Sequence, residues 1–367
     1  MTSIDSHGGD VYAAARESGR SLRRVMDFSA SVNPLGPSPR AVRAIRSGLV
    51  DLVHYPDPDC LALREALAKR YGLTADSFLI GNGSSELIQL LPAALSIRRA
   101  LVLGPTFSEY ARAVRLHGGQ VSRLDAVRAE QYRPPLRETL SVLDAARHSV
   151  DAVFVCNPNS PTGQPVSNGE LSELVRSAGR RGVWVVLDEA FVDYCEERSL
   201  LRDVARHSRL IVLRSFTKFY ALPGLRIGYL AGAPESIQQI RERQQPWSVN
   251  TLAQAAALAS VNDVRHVNRS LAFMQAERPR LARQLERLPD VRVYPSAANF
   301  LMVELPSWMA AGALAGVLRR EGILIRDCSR TPGLTEQTVR VAVRTSRENR
   351  RLVAAFRRVL RRGIPDA

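Results

Sequence analysis

Six short apolar runs punctuate the middle of this chain, and each ends at a cluster of small or polar residues. They read FLIGNG (78–83), ALVLGP (100–105), AVFVCNP (152–158), VWVVLDEAF (183–191), LIVLRSF (210–216) and IGYLAG (227–232). The runs are rich in Val, Ile and Leu and mostly lack alternation of period two. Strands buried on both faces have that pattern, as in a mostly parallel sheet covered by helices. Amphipathic stretches separate the runs, so the chain reads as successive βα units of an α/β fold. In open α/β sheets a ligand sits outside the carboxyl ends of the strands. The clusters Gly83-Ser84-Ser85, Asn157 to Gly163, Asp188-Glu189 and Ser215 to Lys218 fall where such a fold puts its chemistry.

With 367 residues, length favours about two domains. The pattern changes near residue 250. WSVNTLAQAAALASV reads as a helix, and Pro279 interrupts or starts the next helical stretch. FLMVEL (300–305), an amphipathic helix near 310–321, ILIRDC (323–328) and TVRVAV (338–343) indicate a smaller α/β domain. The expected division is an N-terminal segment, 1–47, packing with the small domain, a large domain, 48–250, and a small C-terminal domain, 251–367.

No run of about 18 apolar residues appears, so no transmembrane helix is expected. The opening MTSIDSHGGD has no apolar core of a signal peptide, which points to a cytoplasmic protein. Cys60, Cys156, Cys195 and Cys328 are far apart and form no CxxC pair, so buried free thiols are expected rather than disulfides or zinc ligands. The six histidines form no HExxH-like pair, and no metal is expected. The net charge of +15 fits either binding of nucleic acid or an anionic substrate, or simply solvated arginine-rich faces. The densest basic stretch, SRENRRLVAAFRRVLRR, carries Leu352, Phe356 and Leu360 at helical spacing with Val353 and Val359 beside them, as in a surface helix. No aromatic-interleaved basic motif accompanies the charge, so neither nucleic acid nor a membrane is the expected partner.

The chemistry centres on SFTKFYALPGLRIGY, from Ser215 to Tyr229. Lys218 stands just past an apolar run, where loss of solvation makes an amine a usable nucleophile, although a surface loop lysine would look similar. Asp188 ends the run VVLD, and a carboxylate there is costly unless it is paired. A protonated ring nitrogen, a helix cap or a salt bridge would each serve as the partner. In GNGSSELI a helix follows a run at once, and the N–H groups of such a helix start bind phosphate, worth about 0.3–1 kcal/mol from the dipole. NPNSPTG (157–163) sets a turn that presents polar side chains to a ligand, or is a plain loop.

In order and spacing GNGSSE, PTFSEY, NPNSPTG, DEAF, SFTKFYALPGLRIGY and a late Arg in VRVAV resemble the fold-type I pyridoxal-phosphate (PLP) enzymes of the aminotransferase class I and II family. The match runs over nearly the whole chain. Within that family the chain is similar to histidinol-phosphate aminotransferases and to the threonine-phosphate decarboxylases of cobalamin synthesis. HGGDVYAAA, DFSASVNPLGP, HYPDPDC and the late ILIRDCS with PGL look more like the decarboxylases. The resemblance implies that Lys218 is the Schiff-base lysine and that Asp188 pairs with the pyridine nitrogen. It implies that Gly83, Ser84, Ser85, Ser215 and Arg226 cradle the cofactor phosphate and that Phe107 stacks on the ring. Tyr55 would reach the phosphate of a neighbouring subunit, which implies a homodimer. His7, Gly8, Asn33 and Arg326 would surround a substrate phosphate and Arg340 a carboxylate.

Two positions depart from the aminotransferase pattern. Phe191 stands where a Tyr is usual and Ser160 where an Asn is usual. Both usual residues donate to the cofactor's phenolic oxygen, so both changes bear on the basicity of the Schiff base. Phe191 fits the decarboxylase reading, and Asn159 is a candidate replacement for the contact weakened at Ser160. The implied reaction is decarboxylation of O-phospho-L-threonine to (R)-1-amino-2-propanol phosphate and CO2. The alternatives are a histidinol-phosphate aminotransferase and an enzyme acting on another phosphorylated or phosphonate amino acid. A basic nucleic-acid-binding protein with a degenerate fold is opposed by the retention of Lys218, Asp188 and Arg226.

Overall fold

The computed structural model describes residues 8–145 and 150–362. Helix α1 (Val11–Ser18) precedes a short strand, β1 (Met26–Asp27), and helix α2 (Pro39–Ser47) follows. Ser38 caps α2 by accepting from the backbone N–H groups of Arg40 and Ala41. Helix α3 (Leu61–Tyr71) leads into the main sheet.

That sheet has seven strands: β2 (Phe78–Gly81), β3 (Arg99–Gly104), β4 (Gln120–Asp125), β5 (Ala152–Cys156), β6 (Trp184–Asp188), β7 (Leu210–Ser215) and β8 (Gly228–Ala231). Their order is β2-β8-β7-β6-β5-β3-β4, and β8 runs antiparallel to both neighbours while the others are parallel. Helices α4 (Gly83–Ala94), α5 (Glu109–Leu116), α6 (Leu136–Ala145), α7 (Asn168–Arg180) and α8 (Pro234–Arg241) alternate with the strands. Successive strand residues enter opposite cores. Val153, Val185 and Val212 pack with Leu171 and Leu174, whereas Phe154, Val186 and Ile211 pack with Leu91 and Val114. This burial on both faces explains the unbroken apolar runs. Strand β4 is an edge strand with exposed Gln120, Ser122 and Arg123, and it carries no such run.

Helices α9 (Thr251–Val261) and α10 (Val264–Glu286) follow. The break expected at Pro279 is absent: α10 continues through it, with Met274, Leu281 and Leu285 buried on either side of the missing hydrogen bond. Next come β9 (Arg292–Val293), β10 (Phe300–Glu304), α11 (Ala311–Arg320), β11 (Ile323–Leu324), β12 (Arg326–Asp327), β13 (Thr338–Ala342) and α12 (Ser346–Arg362). ILIRDC, read as one strand, divides between two sheets. Strand β11 pairs in parallel with β1, and β12 joins a four-stranded sheet of order β12-β13-β10-β9. Helix α12 buries Leu352, Val353, Phe356, Val359 and Leu360 and leaves its arginines outside. The four cysteines are free and buried.

Below the carboxyl ends of β6 and β7 lies a buried ion cluster. Arg214 Nε donates to Glu189 at 2.9 Å and its terminal nitrogens to Glu196 at 3.0 and 3.1 Å and to Ser199 at 2.8 Å. Glu189 accepts in turn from Ser199 Oγ at 2.7 Å and from the Leu200 N–H at 2.8 Å. Burial pushes the nearby Asp193 carboxyl up to about 7, against the pull of Arg214. Breaking a buried pair strands its partner's charge, at about 3–5 kcal/mol. Arg214→Ala is therefore expected to lower the free energy of urea unfolding by about that much, and a loss below about 1 kcal/mol would show that the cluster contributes no net stability.

Candidate active site

Lys218 occupies the turn that follows β7. Phe216, Phe219 and Tyr220 are buried and anchor that turn in the core. The Asn33 backbone N–H donates to the Lys218 carbonyl at 3.0 Å, and Leu222 N–H closes the turn on Phe216 O at 3.1 Å. The lysine amine lies 5.9 Å from the centre of the Phe191 ring. Burial pushes the amine down to about 8, and the positive charges of Arg340 and Arg226 act in the same direction against Asp188 and Asp27.

Asp188, the last residue of β6, is buried. Its Oδ2 accepts from the Tyr110 hydroxyl at 2.6 Å and its Oδ1 from the Ala190 N–H at 2.9 Å. Burial raises this carboxyl above its ordinary range, while those two hydrogen bonds and the charge of Lys218 oppose the rise. Phe107 is half-buried, edge-on to Tyr110 with ring centres 5.7 Å apart.

Helix α4 begins at Gly83 without a side-chain cap from Asn82, so its first N–H groups are not closed off by that residue. Gly83 has φ +79°, and a Cβ there would lie 2.6 Å from Arg226 Nη2. Gly228 is equally constrained, since its Cβ would lie 2.9 Å from the Ser84 nitrogen. Arg226 holds a left-handed φ of 55°, uncommon for a residue with a side chain. The Ser215 and Thr217 hydroxyls at the end of β7 are 2.8 Å apart, and Ser84 and Ser85 lie half-buried in the first turn of α4. A helix start without a side-chain cap from Asn82 therefore faces an arginine, with Gly83 in a left-handed conformation between them.

The loop after β5 approaches from the other side. Asn159 spends its amide hydrogens on Pro105 O at 2.8 Å and Thr162 Oγ1 at 2.9 Å. Ser160 Oγ accepts from Arg340 Nη1 at 2.9 Å, and Arg340 Nη2 donates to Ser29 O at 2.9 Å. Arg340 Nε is buried with no partner, and the guanidinium lies 4.9 Å over the Phe300 ring. Arg326 on β12 stands directly opposite Arg340 on β13, a like-charge pairing that costs stability unless an anion offsets it. Among the described residues neither arginine forms an ion pair.

Asn33 donates both side-chain amide hydrogens, to Phe219 O at 2.9 Å and Ser270 Oγ at 2.8 Å, and so braces the lysine turn. Gly8 lies against Ser29, whose carbonyl a Cβ at Gly8 would meet at 2.3 Å. His7 lies outside the described residues. Tyr55 is 80% exposed, its ring centre 4.8 Å from that of Trp247, beside exposed Leu49, Val50, Leu52 and Val53. Tyr110, Thr217 and Ser29 were not singled out from the sequence. Tyr110 lay within the quoted PTFSEY, and the buried Asp188 was the signal that a donor had to be found for it.

A buried carboxylate that accepts from Tyr110 and Ala190, an amine of lowered basicity and a helix start beside an arginine fit a group with a basic ring nitrogen, an aldehyde and a phosphate. The family model for aminotransferase class I and II matches residues 23–356. The chain belongs to the aminotransferase class I and II family. Like that family's members it is a PLP-dependent enzyme. It is 35% identical to the threonine-phosphate decarboxylase of Salmonella typhimurium, over 97% of this chain and 96% of that one. It is 33% identical to a histidinol-phosphate aminotransferase of Moorella thermoacetica, over 96% of this chain and 89% of the relative. The structure of L-threonine-O-3-phosphate decarboxylase from Porphyromonas gingivalis matches with a TM-score of 0.81 at 27% identity, over 92% of this chain and all of that one (100%).

An amine that titrates near 8 is largely unprotonated above that pH, whereas an ordinary lysine stays charged to about 10.4. The rate at which the cofactor-free protein takes up PLP should therefore rise with pH and level off just above 8. Arg340→Ala removes a charge that disfavours the ammonium, so the midpoint should move upward. A midpoint near 10 in the parent protein would contradict the assigned environment.

Proposed function

We propose that this enzyme decarboxylates O-phospho-L-threonine to (R)-1-amino-2-propanol phosphate and CO2, a step of cobalamin synthesis. What carries the reading is the pair Arg326 and Arg340, opposed across two strands and without carboxylate partners among the described residues, next to an amine of lowered basicity. A substrate with two anionic groups offsets such a pair, because guanidinium forks match both carboxylate and phosphate. The threonine-phosphate decarboxylases among the relatives support the same choice.

When bound, the cofactor supplies an aldehyde for an amine and a ring that draws electrons from the substrate's Cα. On this reading Gly83, Ser84, Ser85, Ser215 and Arg226 hold its phosphate. Asp188 holds its ring nitrogen and Phe107 covers one face of its ring. Lys218 offers the amine that ties it to the chain and is the base or acid nearest the substrate. Gly8 and Arg326 lie at the substrate phosphate, and Asn33, whose amide is committed to Phe219 and Ser270, acts through the lysine turn it braces. Arg340 takes the carboxylate, pre-oriented by Ser160 and Ser29. These anchors decide which substituent on Cα stands across the ring plane, and so which bond breaks. We further propose a homodimer in which Tyr55 reaches the partner's phosphate site. Its support is the exposed apolar surface of Leu49, Val50, Leu52, Val53, Tyr55 and Trp247.

The second reading, a histidinol-phosphate aminotransferase, is favoured by the relative from Moorella thermoacetica at 33% identity. It differs in presenting the Cα hydrogen to Lys218. Purified protein with PLP should release CO2 from O-phospho-L-threonine and show no half-reaction with histidinol phosphate and 2-oxoglutarate. Lys218→Ala should still take up PLP but lose turnover by at least about a hundredfold, with no cofactor fixed to the residue-218 peptide by borohydride. Turnover by that variant would remove the role given to Lys218, and the reverse substrate pattern would select the aminotransferase.

A further inference from the structure

We propose that Tyr110 is a positioning residue for the cofactor's ring nitrogen, its hydroxyl keeping Asp188 ionised by donating to it. The inference rests on the reading of Lys218 and Asp188 as the cofactor-holding pair. Tyr110 lies in the first turn of α5, is only 1% exposed, and places its hydroxyl 2.6 Å from Asp188 Oδ2. Two rings fix its direction. It stacks on Phe154 of β5 with centres 5.6 Å apart and planes 22° apart, and meets Phe107 edge-on at 5.7 Å.

Packing alone would be served by phenylalanine, since a buried hydroxyl is costly unless it finds an acceptor. Here the acceptor is a carboxylate that burial drives towards its neutral form. Four groups among the described residues surround Asp188. Cys156 faces it across the β5–β6 pairing, the Ala190 N–H caps Oδ1, Tyr110 comes from α5, and Lys218 from the turn after β7. Of these, Tyr110 is the side chain that donates a hydrogen bond. Each Asp188 oxygen accepts one bond from the protein and keeps a lone pair for an incoming N–H. A neutral Asp188 could not balance a protonated ring nitrogen, and the ring would draw electrons less strongly.

The test uses holoenzyme reconstituted with PLP carrying ¹⁵N in the ring. In the parent protein the ring nitrogen should stay protonated from about pH 6 to 9, well above the range where an ordinary carboxylate would protonate. In Tyr110→Phe the ¹⁵N resonance should move towards that of neutral pyridine, and the dissociation constant of PLP should rise about three- to tenfold. The visible absorbance should persist, because Lys218 is untouched. Tyr110→Phe keeps the ring and its stacking on Phe154, so a moved resonance is an outcome that lost packing alone does not predict. An unchanged resonance in Tyr110→Phe overturns the proposal. Should that variant fail to fold, a parent ring nitrogen that titrates between about pH 6 and 9 overturns it equally. A protein that binds PLP without visible absorbance or borohydride fixation instead refutes the role of Lys218, which separates the two failures.

Discussion

Two adjacent acids at the end of β6 govern the layout of this protein. Neighbouring residues of a strand point to opposite sides. Asp188 turns to the side of Tyr110 and Lys218, while Glu189 turns to Arg214 in the interior. Strand β7 repeats the division, with Arg214 in the ion cluster and Ser215 next to the lysine turn. The same strand ends that present the chemistry are thus fastened from beneath by buried charges. Such a cluster adds little net stability over an apolar core of equal volume, but a shift of either strand end would strand a buried charge. Lys218 follows four residues after Arg214, so its position inherits the rigidity of the pair.

The face above the strands is built on the opposite principle. Arg340 keeps a buried Nε without an acceptor, and Arg326 is held against it by strand register. Both features cost free energy in the free protein, as does the lowered basicity of Lys218. The doubly anionic substrate proposed above would relieve the first two. Costs of this kind collect where a protein binds, since an offset supplied by the ligand becomes affinity.

Much of the frame was legible in the sequence because burial on both faces leaves a plain mark. The runs read at 152–158, 183–191 and 210–216 contain β5, β6 and β7 and overshoot them by a few residues at their ends. Strand β4 left no mark, since an edge strand with exposed Gln120, Ser122 and Arg123 resembles a loop in composition. Pro279 misled for a different reason: a helix held by buried neighbours on both sides survives one lost hydrogen bond. Single residues at the strand ends could be nominated from their type and place. Their partners could not, because Tyr110 is 78 positions from Asp188 and Ser29 is 311 from Arg340. Asn33 shows the limit most clearly. Its type suits a ligand contact, yet its amide is committed to Phe219 and Ser270.

The two departures at Ser160 and Phe191 meet in the structure at Arg340 and Lys218. Phe191 gives the amine an apolar ring at 5.9 Å and no hydroxyl, and it packs edge-on to Phe300, the same ring that carries the Arg340 guanidinium. Ser160 directs its oxygen to that guanidinium rather than leaving it for the cofactor. An asparagine at 160 would reach further, and could accept from the arginine through Oδ1 while giving its N–H to the cofactor's phenolic oxygen; a serine has one oxygen to share. A serine there favours the arginine instead, and with Phe191 it shifts hydrogen-bonding capacity from the cofactor's phenolic oxygen to the group proposed to take the carboxylate. On the decarboxylase reading that transfer has a clear physical sense: a carboxylate that is to leave must be held in one direction, and the residue that aims it is the one these two substitutions support.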